Sequence, residues 1–406
     1  MTRPDGPADV SPARERPTVM VVVGTRPEAI KMAPVVEALR RPGGPAQVHL
    51  VLTGQHTDLV DGALESFGLE PDLDLAIMQE GQSLYDVATG CLEGIRSVLQ
   101  DLRPGMVLVQ GDTATVFFSA LVGYFEGVAT GHVEAGLRSG NLRSPFPEEG
   151  FRRLTGVLAD LHFAPTPDAR ANLLREGIPD DRIHVTGNTV VDALLQVVAR
   201  SGGATRPELK RLLEAEQPFL LLTAHRRESF GAPIRRIFEA VRSLLAQEPE
   251  LEVLYPVHPN PNVLEPAREL LGAHPRVHLV EPLAYRDLAL SLQGAALILT
   301  DSGGIQEEAP TFGTPLLVLR EVTERPEGIR AGVAELVGTD PELIVARARA
   351  LLREPDHQRR TRRRANPYGD GRAALRVAEA VEAFLARGPG SYGGVSSDSA
   401  ATEERA

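Results

Sequence analysis

The chain has 406 residues, 42% of them hydrophobic, and a formal net charge of −12. This length suffices for two domains with cores of their own, and the acidic balance argues against nucleic acid or an anionic membrane surface as a partner. The single cysteine, Cys91, excludes a disulfide framework and a thiolate metal cage. No apolar run reaches the about 18 residues that a membrane-spanning helix needs.

The two ends of the chain have the composition of disordered segments. Residues 1–17 contain charges and prolines but no apolar signal-peptide region. Residues 388–406 are equally poor in apolar side chains. We therefore expect a disordered leader, a disordered tail and a soluble cytoplasmic protein between them.

The first half of the chain alternates predicted strands and helices. Apolar runs predict strands at 18–23, 48–52, 106–109 and 129–133, and helical spacing predicts helices at 27–40, 93–102 and 117–124. Pro34 lies inside the first helix and predicts a late start or a kink. The alternation predicts a parallel sheet with helices on both faces, which binds ligands at the carboxyl ends of its strands.

Polar side chains follow these strands. Arg26 and Lys31 lie at the start of the first helix, where cations can face a substrate phosphate, although either alone is explained as a surface charge. Asp112 and Glu134 follow two later strands, and Glu148 lies in a proline-bounded loop. Carboxylates gathered in a cleft can have pKa values pushed apart and so supply both an acid and a base. Asp112 is explained equally well as a helix N-cap.

The alternation restarts near residue 190, with strands predicted at 219–223, 251–257, 277–279 and 297–300. Two doubly wound Rossmann-like domains facing a cleft, residues 18–187 and 188–372, are therefore predicted. His225 follows the first of these strands. It could take part in proton transfer or only bond a loop carbonyl, and its arginine neighbours would favour the neutral imidazole.

The segment 297–313, LILTDSGGIQEEAPTFG, joins a strand to a helix start through Ser302, Gly303 and Gly304. Glycines permit close backbone approach to a ligand, and a helix start leaves amide N–H groups free, so the segment is a candidate diphosphate cradle. A tight turn without a ligand is the alternative. Glu307 and Glu308, one turn further, suit the hydroxyls of a ribose or sugar.

Neither a dinucleotide cofactor nor a metal ion is expected. The turn after the first strand is not GxGxxG, and the second strand ends in Thr53 and Gly54 without an acid for an adenosine ribose. Asp72 and Asp74 superficially match a metal-binding DxD motif, but PDLDLAI alternates like a strand with outward acids. Cys91 lies in a predicted helix and is assigned to core packing.

These residues belong to a longer series of motifs. In chain order it comprises GTRPEAIKMAP (24–34), TGQH (53–56), QGDTAT (110–115), HVEAGLRS (132–139), SPFPEE (144–149), GNTVVDAL (187–194), AHRRESFG (224–231), YPVHPNPNV (255–263), LTDSGGIQEEAP (299–310) and TERPEG (323–328). The series resembles the non-hydrolysing UDP-N-acetylglucosamine 2-epimerases and covers residues 18–338.

The resemblance implies a glycosyltransferase-B-like fold whose last helix, at residues 373–387, crosses back to the first domain. It implies a homodimer that interconverts UDP-GlcNAc and UDP-ManNAc without NAD or metal, through elimination of UDP to 2-acetamidoglucal. The matching catalytic residues are Asp112, Glu134, Glu148 and His225. The residues matching phosphate, ribose or sugar contacts are Arg26, Lys31, Arg152, Ser302, Gly303, Gly304, Glu308 and Arg325.

Two departures concern the substrate pocket. Leu288 replaces a frequent Phe against the uracil and loses aromatic stacking worth about 0.5–1.5 kcal/mol. Phe151 replaces an Asn beside Glu148 and should alter that wall of the pocket.

A third departure concerns regulation. Some bacterial members bind a second UDP-GlcNAc as activator near Gln55, His56 and His258, all present here. After the TGQH motif at residues 53–56, family members usually have an Arg followed by Glu or Gln. This chain has Thr57-Asp58 there instead.

Three alternatives remain. The hydrolysing branch of the family would release UDP and ManNAc, but the Gln55-His56 pair and the His225 region favour the non-hydrolysing members. A retaining glycosyltransferase on the same architecture would need an acceptor pocket that the sequence does not reveal. A catalytically silent sugar-nucleotide sensor is disfavoured by the complete set of acids.

Overall fold

A computed structural model describes residues 16–42, 44, 46–54, 58–77, 81–354 and 364–387. Gln55, His56 and Thr57, the residues 1–15 of the predicted leader and the whole predicted tail lie outside the described residues. None of the helices in the described part of the chain is long and apolar enough to cross a membrane.

The strands form two parallel sheets. The strands of the first sheet are β1 Thr18–Val23, β2 Gln47–Leu52, β3 Leu73–Asp74, β4 Met106–Gln110, β5 Ala129–Val133, β6 Leu161–Ala164 and β7 Ile183–Val185. Those of the second are β8 Phe219–Thr223, β9 Glu252–Pro256, β10 Val277–Val280, β11 Leu297–Thr300, β12 Leu316–Val318 and β13 Glu335–Leu336. Helices cover the faces of both sheets, so the apolar runs seen in the sequence are buried on both sides.

The helices alternate with the strands. They are α1 Arg26–Leu39, α2 Asp58–Glu65, α3 Leu84–Leu102, α4 Ala114–Phe125, α5 Glu148–Leu158, α6 Pro167–Arg175, α7 Thr189–Arg200, α8 Pro207–Glu214, α9 Ala232–Gln247, α10 Pro261–Leu271, α11 Tyr285–Gly294, α12 Gly303–Glu308, α13 Pro326–Arg330, α14 Pro341–Leu352 and α15 Ala373–Arg387. The predicted late start of the first helix is wrong: α1 begins at Arg26 and continues through Pro34, which is buried against the core. Helices α3 and α4 begin earlier than predicted, because Ser83 and Thr113 cap them.

Each sheet has one point where its strand order reverses. The first has the order β3-β2-β1-β4-β5-β6-β7, which reverses between β1 and β4; the second has β10-β9-β8-β11-β12-β13, which reverses between β8 and β11. The crevice outside such a reversal is the usual ligand site of an open α/β sheet. The predicted architecture, two doubly wound units of the glycosyltransferase-B-like kind, is confirmed.

The chain connects the units at two places that contact each other. The Asn188 N–H, just before α7, donates to the Tyr368 carbonyl oxygen at 2.6 Å. The buried Asp192 carboxylate accepts the N–H groups of Ala373 and Ala374 at 3.1 and 2.9 Å and so caps α15. Helix α15 then packs on α1 of the first unit, within one apolar cluster.

Candidate active site

Several of the predicted site residues lie at the two reversal points. Arg26 and Lys31 follow β1 and Asp112 follows β4, the strands at the reversal of the first sheet. His225 and Ser302 follow β8 and β11, the strands at the reversal of the second. The Arg26 guanidinium donates to the Leu283 carbonyl oxygen of the second unit at 3.2 Å, so the two sets of strand ends are held close together.

A buried ion cluster joins the units beside these strand ends. Lys31 Nζ lies 2.5 Å from Glu134 Oε2 and 3.8 Å from Glu307 Oε2, and Arg325 pairs with Glu307. Burial lowers the pKa of Lys31, but the two carboxylates more than offset it and the net pKa is raised. Arg325 behaves in the same way, since Glu307 and Glu134 outweigh the burial that lowers its pKa. Both cations therefore stay charged at neutral pH.

The backbone conformation of Glu134 restricts the direction in which its carboxylate points. It follows β5 with a φ of 64°, in the left-handed region that costs a non-glycine residue about 1–2 kcal/mol. Two residues on, Gly136 has a φ of 90°, and a Cβ there would lie 2.3 Å from the Ala169 carbonyl oxygen on α6. The turn is thus packed tightly where the carboxylate enters the cluster.

Asp112 and Arg152, predicted for different roles, form an ion pair. The helix that follows Asp112 is capped by Thr113, whose hydroxyl accepts the Val116 N–H. The alternative explanation of Asp112 as an N-cap is therefore wrong, and its carboxylate is free to face α5. Arg152 also lies 3.5 Å from the fully buried Glu149.

Glu148 lies in the first turn of α5 and is half-buried. It precedes Arg152 by four residues, so both lie on one face of the helix. The ring of Phe151 stacks on Phe117 of α4 with centroids 5.3 Å apart. Its side chain therefore contributes to the packing of α5 on α4.

His225 is held from the side of the second sheet. The buried Asp301 carboxylate accepts the backbone N–H groups of His225 and Arg226 and the hydroxyl of Ser229, at 2.9–3.1 Å. The His225 ring stacks on His258, with centroids 5.7 Å apart, and its Nδ1 lies 3.8 Å from Asp301. Burial lowers the pKa of His225, Asp301 partly offsets this, and His258 and Arg226 lower it further. The neutral imidazole predicted from the sequence thus arises mainly from burial.

The candidate diphosphate cradle faces a carboxyl group, that of Glu308, with one oxygen that accepts no hydrogen bond from the described residues. Gly304 is exposed, and a Cβ there would contact Glu308 Oε1 at 3.7 Å. Glu308 Oε2 is buried and makes no hydrogen bond to any described residue. Burial raises the pKa of Glu308 to about 8. Glu308 can therefore bond a ligand hydroxyl, while the Glu307 carboxylate is paired with Lys31 and Arg325 and its expected contact with a hydroxyl stays a prediction.

Sequence reasoning missed two kinds of residue. Asn188 and Asp301 were recognised only as parts of motifs, yet they bond to Glu134 and to the His225 backbone. Glu28 is 2% exposed, and its carboxylate accepts the Gly24 N–H at 2.6 Å and the Thr113 hydroxyl at 2.7 Å. The Glu28 carboxylate therefore connects the turn after β1 to the turn after β4 by hydrogen bonds. For Asn188, Asp301 and Glu28, the only indication in the sequence was a polar residue without an assigned role next to an apolar strand or a glycine.

No group of three His, Cys, Asp or Glu side chains suited to a metal ion occurs among the described residues. Asp72, from the rejected DxD motif, pairs with Arg40 and accepts the Leu50 N–H at 2.7 Å. Cys91 is buried in α3 within an apolar cluster, which confirms its assignment to the core.

Comparisons with known proteins agree with this arrangement. A family model described as UDP-N-acetylglucosamine 2-epimerase matches residues 38–382. The UDP-N-acetylglucosamine 2-epimerase of Salmonella typhimurium is 48% identical over 374 residues, which cover 90% of this chain and 98% of that protein. A crystal structure from Listeria monocytogenes superposes with a TM-score of 0.86 at 45% identity, covering 92% of this chain and 97% of that one.

A further structure, the UDP-GlcNAc 2-epimerase of Neisseria meningitidis bound to UDP-GlcNAc, has a TM-score of 0.80 at 41% identity and covers 90% of this chain and 99% of that chain. The family match spans β2 to β13 of the two sheets and includes Asp112, Glu134, Glu148 and His225, whereas Arg26 and Lys31 precede it. The chain belongs to the UDP-N-acetylglucosamine 2-epimerase family, and it is an isomerase.

Proposed function

We propose that the protein interconverts UDP-GlcNAc and UDP-ManNAc without net hydrolysis, by elimination and re-addition of UDP. The C1–O bond breaks and its electron pair leaves with UDP, the C2 proton passes to a protein base, and 2-acetamidoglucal forms. Re-addition returns UDP to C1 and places a proton on the opposite face of C2. The observation that carries the proposal is the convergence of cations and carboxylates at the reversal points of both sheets.

The cations can stabilise the leaving group. Lys31 and Arg325 are held charged in a largely buried cluster, and Arg26 lies at the nearby strand end. Because electrostatic interactions strengthen where water is excluded, positive charge fixed there lowers the cost of diphosphate departure. The C2 hydrogen is weakly acidic, so C1–O cleavage leads and an oxocarbenium-like centre forms first. A nearby carboxylate stabilises that centre.

The proton transfers are assigned to the acids Asp112, Glu134 and Glu148 of the first unit and to His225 of the second. The first two are each paired with a cation, Arg152 and Lys31 respectively. Two proton-transfer groups are needed, one for each face of C2.

The decisive experiment follows UDP-GlcNAc by NMR in D2O. We expect UDP-ManNAc to appear with deuterium at C2. Free ManNAc with UDP would indicate the hydrolysing reaction, transfer to an added acceptor only would indicate a glycosyltransferase, and binding without turnover would indicate a sensor. Each of these three outcomes would refute the proposal.

Variants test the residue assignment. Asp112→Asn, Glu134→Gln and Glu148→Gln should lower turnover far more than UDP affinity, because they remove proton transfer and leave the nucleotide contacts. Glu214→Gln, at an exposed position on α8 next to Lys210, is the control and should behave as wild type. Near-normal turnover in all three site variants would show that the acids are wrongly assigned.

We also propose a homodimer formed through α3, α4 and α5. These neighbouring helices expose Tyr85, Tyr124, Phe125, Leu154 and Val157, with Phe125 67% exposed. Covering such a patch with a second copy would remove it from water. Light scattering after size exclusion should give twice the chain mass for wild type and a lower mass for Phe125→Glu. A monomeric wild type would refute this part of the proposal.

A further inference from the structure

The side chain of Asn188 connects the two units beside the candidate site. Asn188 is 3% exposed and lies where the chain crosses from the first sheet to the second. Its Nδ2 donates to Glu134 Oε2 at 3.3 Å and to Glu307 Oε2 at 3.1 Å. Glu134 follows β5 of the first sheet and Glu307 lies on α12, after β11 of the second. One amide group therefore bridges carboxylates from both units.

The orientation of this amide is set by its other contacts. Asn188 Oδ1 accepts the Val190 N–H at 3.0 Å and caps α7, and the Asn188 backbone N–H bonds the Tyr368 carbonyl oxygen. With the carbonyl oxygen committed to the helix, both N–H groups of the amide must point at the carboxylates. A carboxylate accepts only, so an NH2 group with two donors matches a pair of them.

The charges around position 188 favour an uncharged hydrogen-bond donor there. Lys31 and Arg325 balance the charges of Glu134 and Glu307. The Tyr368 phenol also faces this cluster and bonds the Gly328 N–H at 3.1 Å; burial and then Glu307 raise its pKa. A further carboxylate at position 188 would leave one negative charge uncompensated in a buried place.

We propose that Asn188 is a positioning residue that holds the Glu134 carboxylate in its working orientation and couples that orientation to the approach of the second unit. Asn188 acts through Glu134 and not on the substrate. The inference rests on the proposed role of Glu134 in epimerisation.

The test is Asn188→Asp, which keeps the helix cap and removes the two donors. Aspartate accepts the Val190 N–H as asparagine does, so the cap of α7 should persist. We expect kcat to fall by about 10- to 100-fold with little change in KM, as for a misplaced catalytic group. We also expect part of the loss to be recovered at lower pH, since a protonated carboxyl can donate one hydrogen bond. A purely structural defect would instead lower the free energy of unfolding in urea and leave the kcat of the folded fraction unchanged.

Two further variants complete the design. Asn188→Ser keeps a capping hydroxyl and removes the amide donors without adding charge, so its kcat should fall without that recovery at low pH. Asp340→Asn makes the reverse exchange at an exposed N-cap, where Asp340 accepts the Glu342 N–H at 2.9 Å, and should leave kcat unchanged.

The possible results distinguish the positioning role of Asn188 from the proposed epimerase activity. Wild-type kcat in Asn188→Asp and Asn188→Ser would overturn the positioning role. A crystal structure of either variant with the Glu134 side chain unmoved would overturn it without any activity measurement. A wild-type protein that does not epimerise in the same assay would instead refute the proposed function.

Discussion

Two buried histidines should make the protein lose stability between pH 7 and pH 5. His132 of β5 and His162 of β6 lie opposite each other in neighbouring strands, and neither is more than 1% exposed. His132 Nε2 bonds the Gly111 carbonyl oxygen at 2.8 Å, while both ring nitrogens of His162 make no hydrogen bond of normal geometry to the described residues. Burial lowers the pKa of His132 to about 4 and that of His162 to about 3.

The sign and size of the effect follow from proton linkage. An unfolded histidine has a pKa of about 6.5, so the unfolded chain takes up protons below that pH while the folded chain does not. The contribution of the neutral imidazoles to stability is complete above pH 6.5 and is lost as the pH falls toward 4. At pH 5 each imidazole should lower the free energy of unfolding by about 2 kcal/mol, and the pair by about 4 kcal/mol.

The variant His162→Leu isolates one of these contributions. It replaces a buried and poorly hydrogen-bonded polar ring by an apolar side chain of similar volume, so the fold should tolerate it. Urea unfolding followed by circular dichroism at pH 7 and pH 5 gives the free energies; the chain has no tryptophan whose fluorescence could serve instead. The loss between these pH values should be about 2 kcal/mol smaller in the variant than in wild type. An equal loss in both proteins would refute the assignment of the effect to His162.

Three other substitutions have defined outcomes. Arg325→Ala should weaken UDP binding, measured by calorimetry, and an unchanged affinity would show that Arg325 is not part of the site. The same substitution should lower the free energy of unfolding by about 3–5 kcal/mol, because Glu307 loses a buried partner. Asp301→Asn should lower kcat by loosening the backbone of His225, and an unchanged kcat would show that this carboxylate does not position the loop. Burial raises the pKa of Glu28 to about 7, so its carboxyl destabilises the fold by about 2 kcal/mol as the pH rises from 5 to 8. Glu28→Gln should abolish this part of the pH dependence of urea unfolding, and a retained dependence would contradict it.

The local sequence determined the elements and the family. Apolar runs predicted eight of the thirteen strands in the described part of the chain, because burial on both faces of a parallel sheet leaves a continuous apolar pattern, whereas helical spacing predicted only a minority of the helices. Two of the predicted helices start earlier than expected, because a capping side chain decides the first turn: Ser83 for α3 and Thr113 for α4. Asp112 was ambiguous for the same reason.

The tertiary structure alone decided which charges meet. Lys31 and Glu134 are 103 positions apart, and Asn188 and Glu307 are 119 positions apart. Such pairs depend on the strand order of each sheet and on how the two units approach, and no local pattern encodes either. Motifs could therefore assign Glu307 to sugar hydroxyls, whereas its position between Lys31 and Arg325 commits its carboxylate to the ion cluster. Residue types in a sequence specify which chemistry is possible, and the packing of distant segments specifies which groups carry it out.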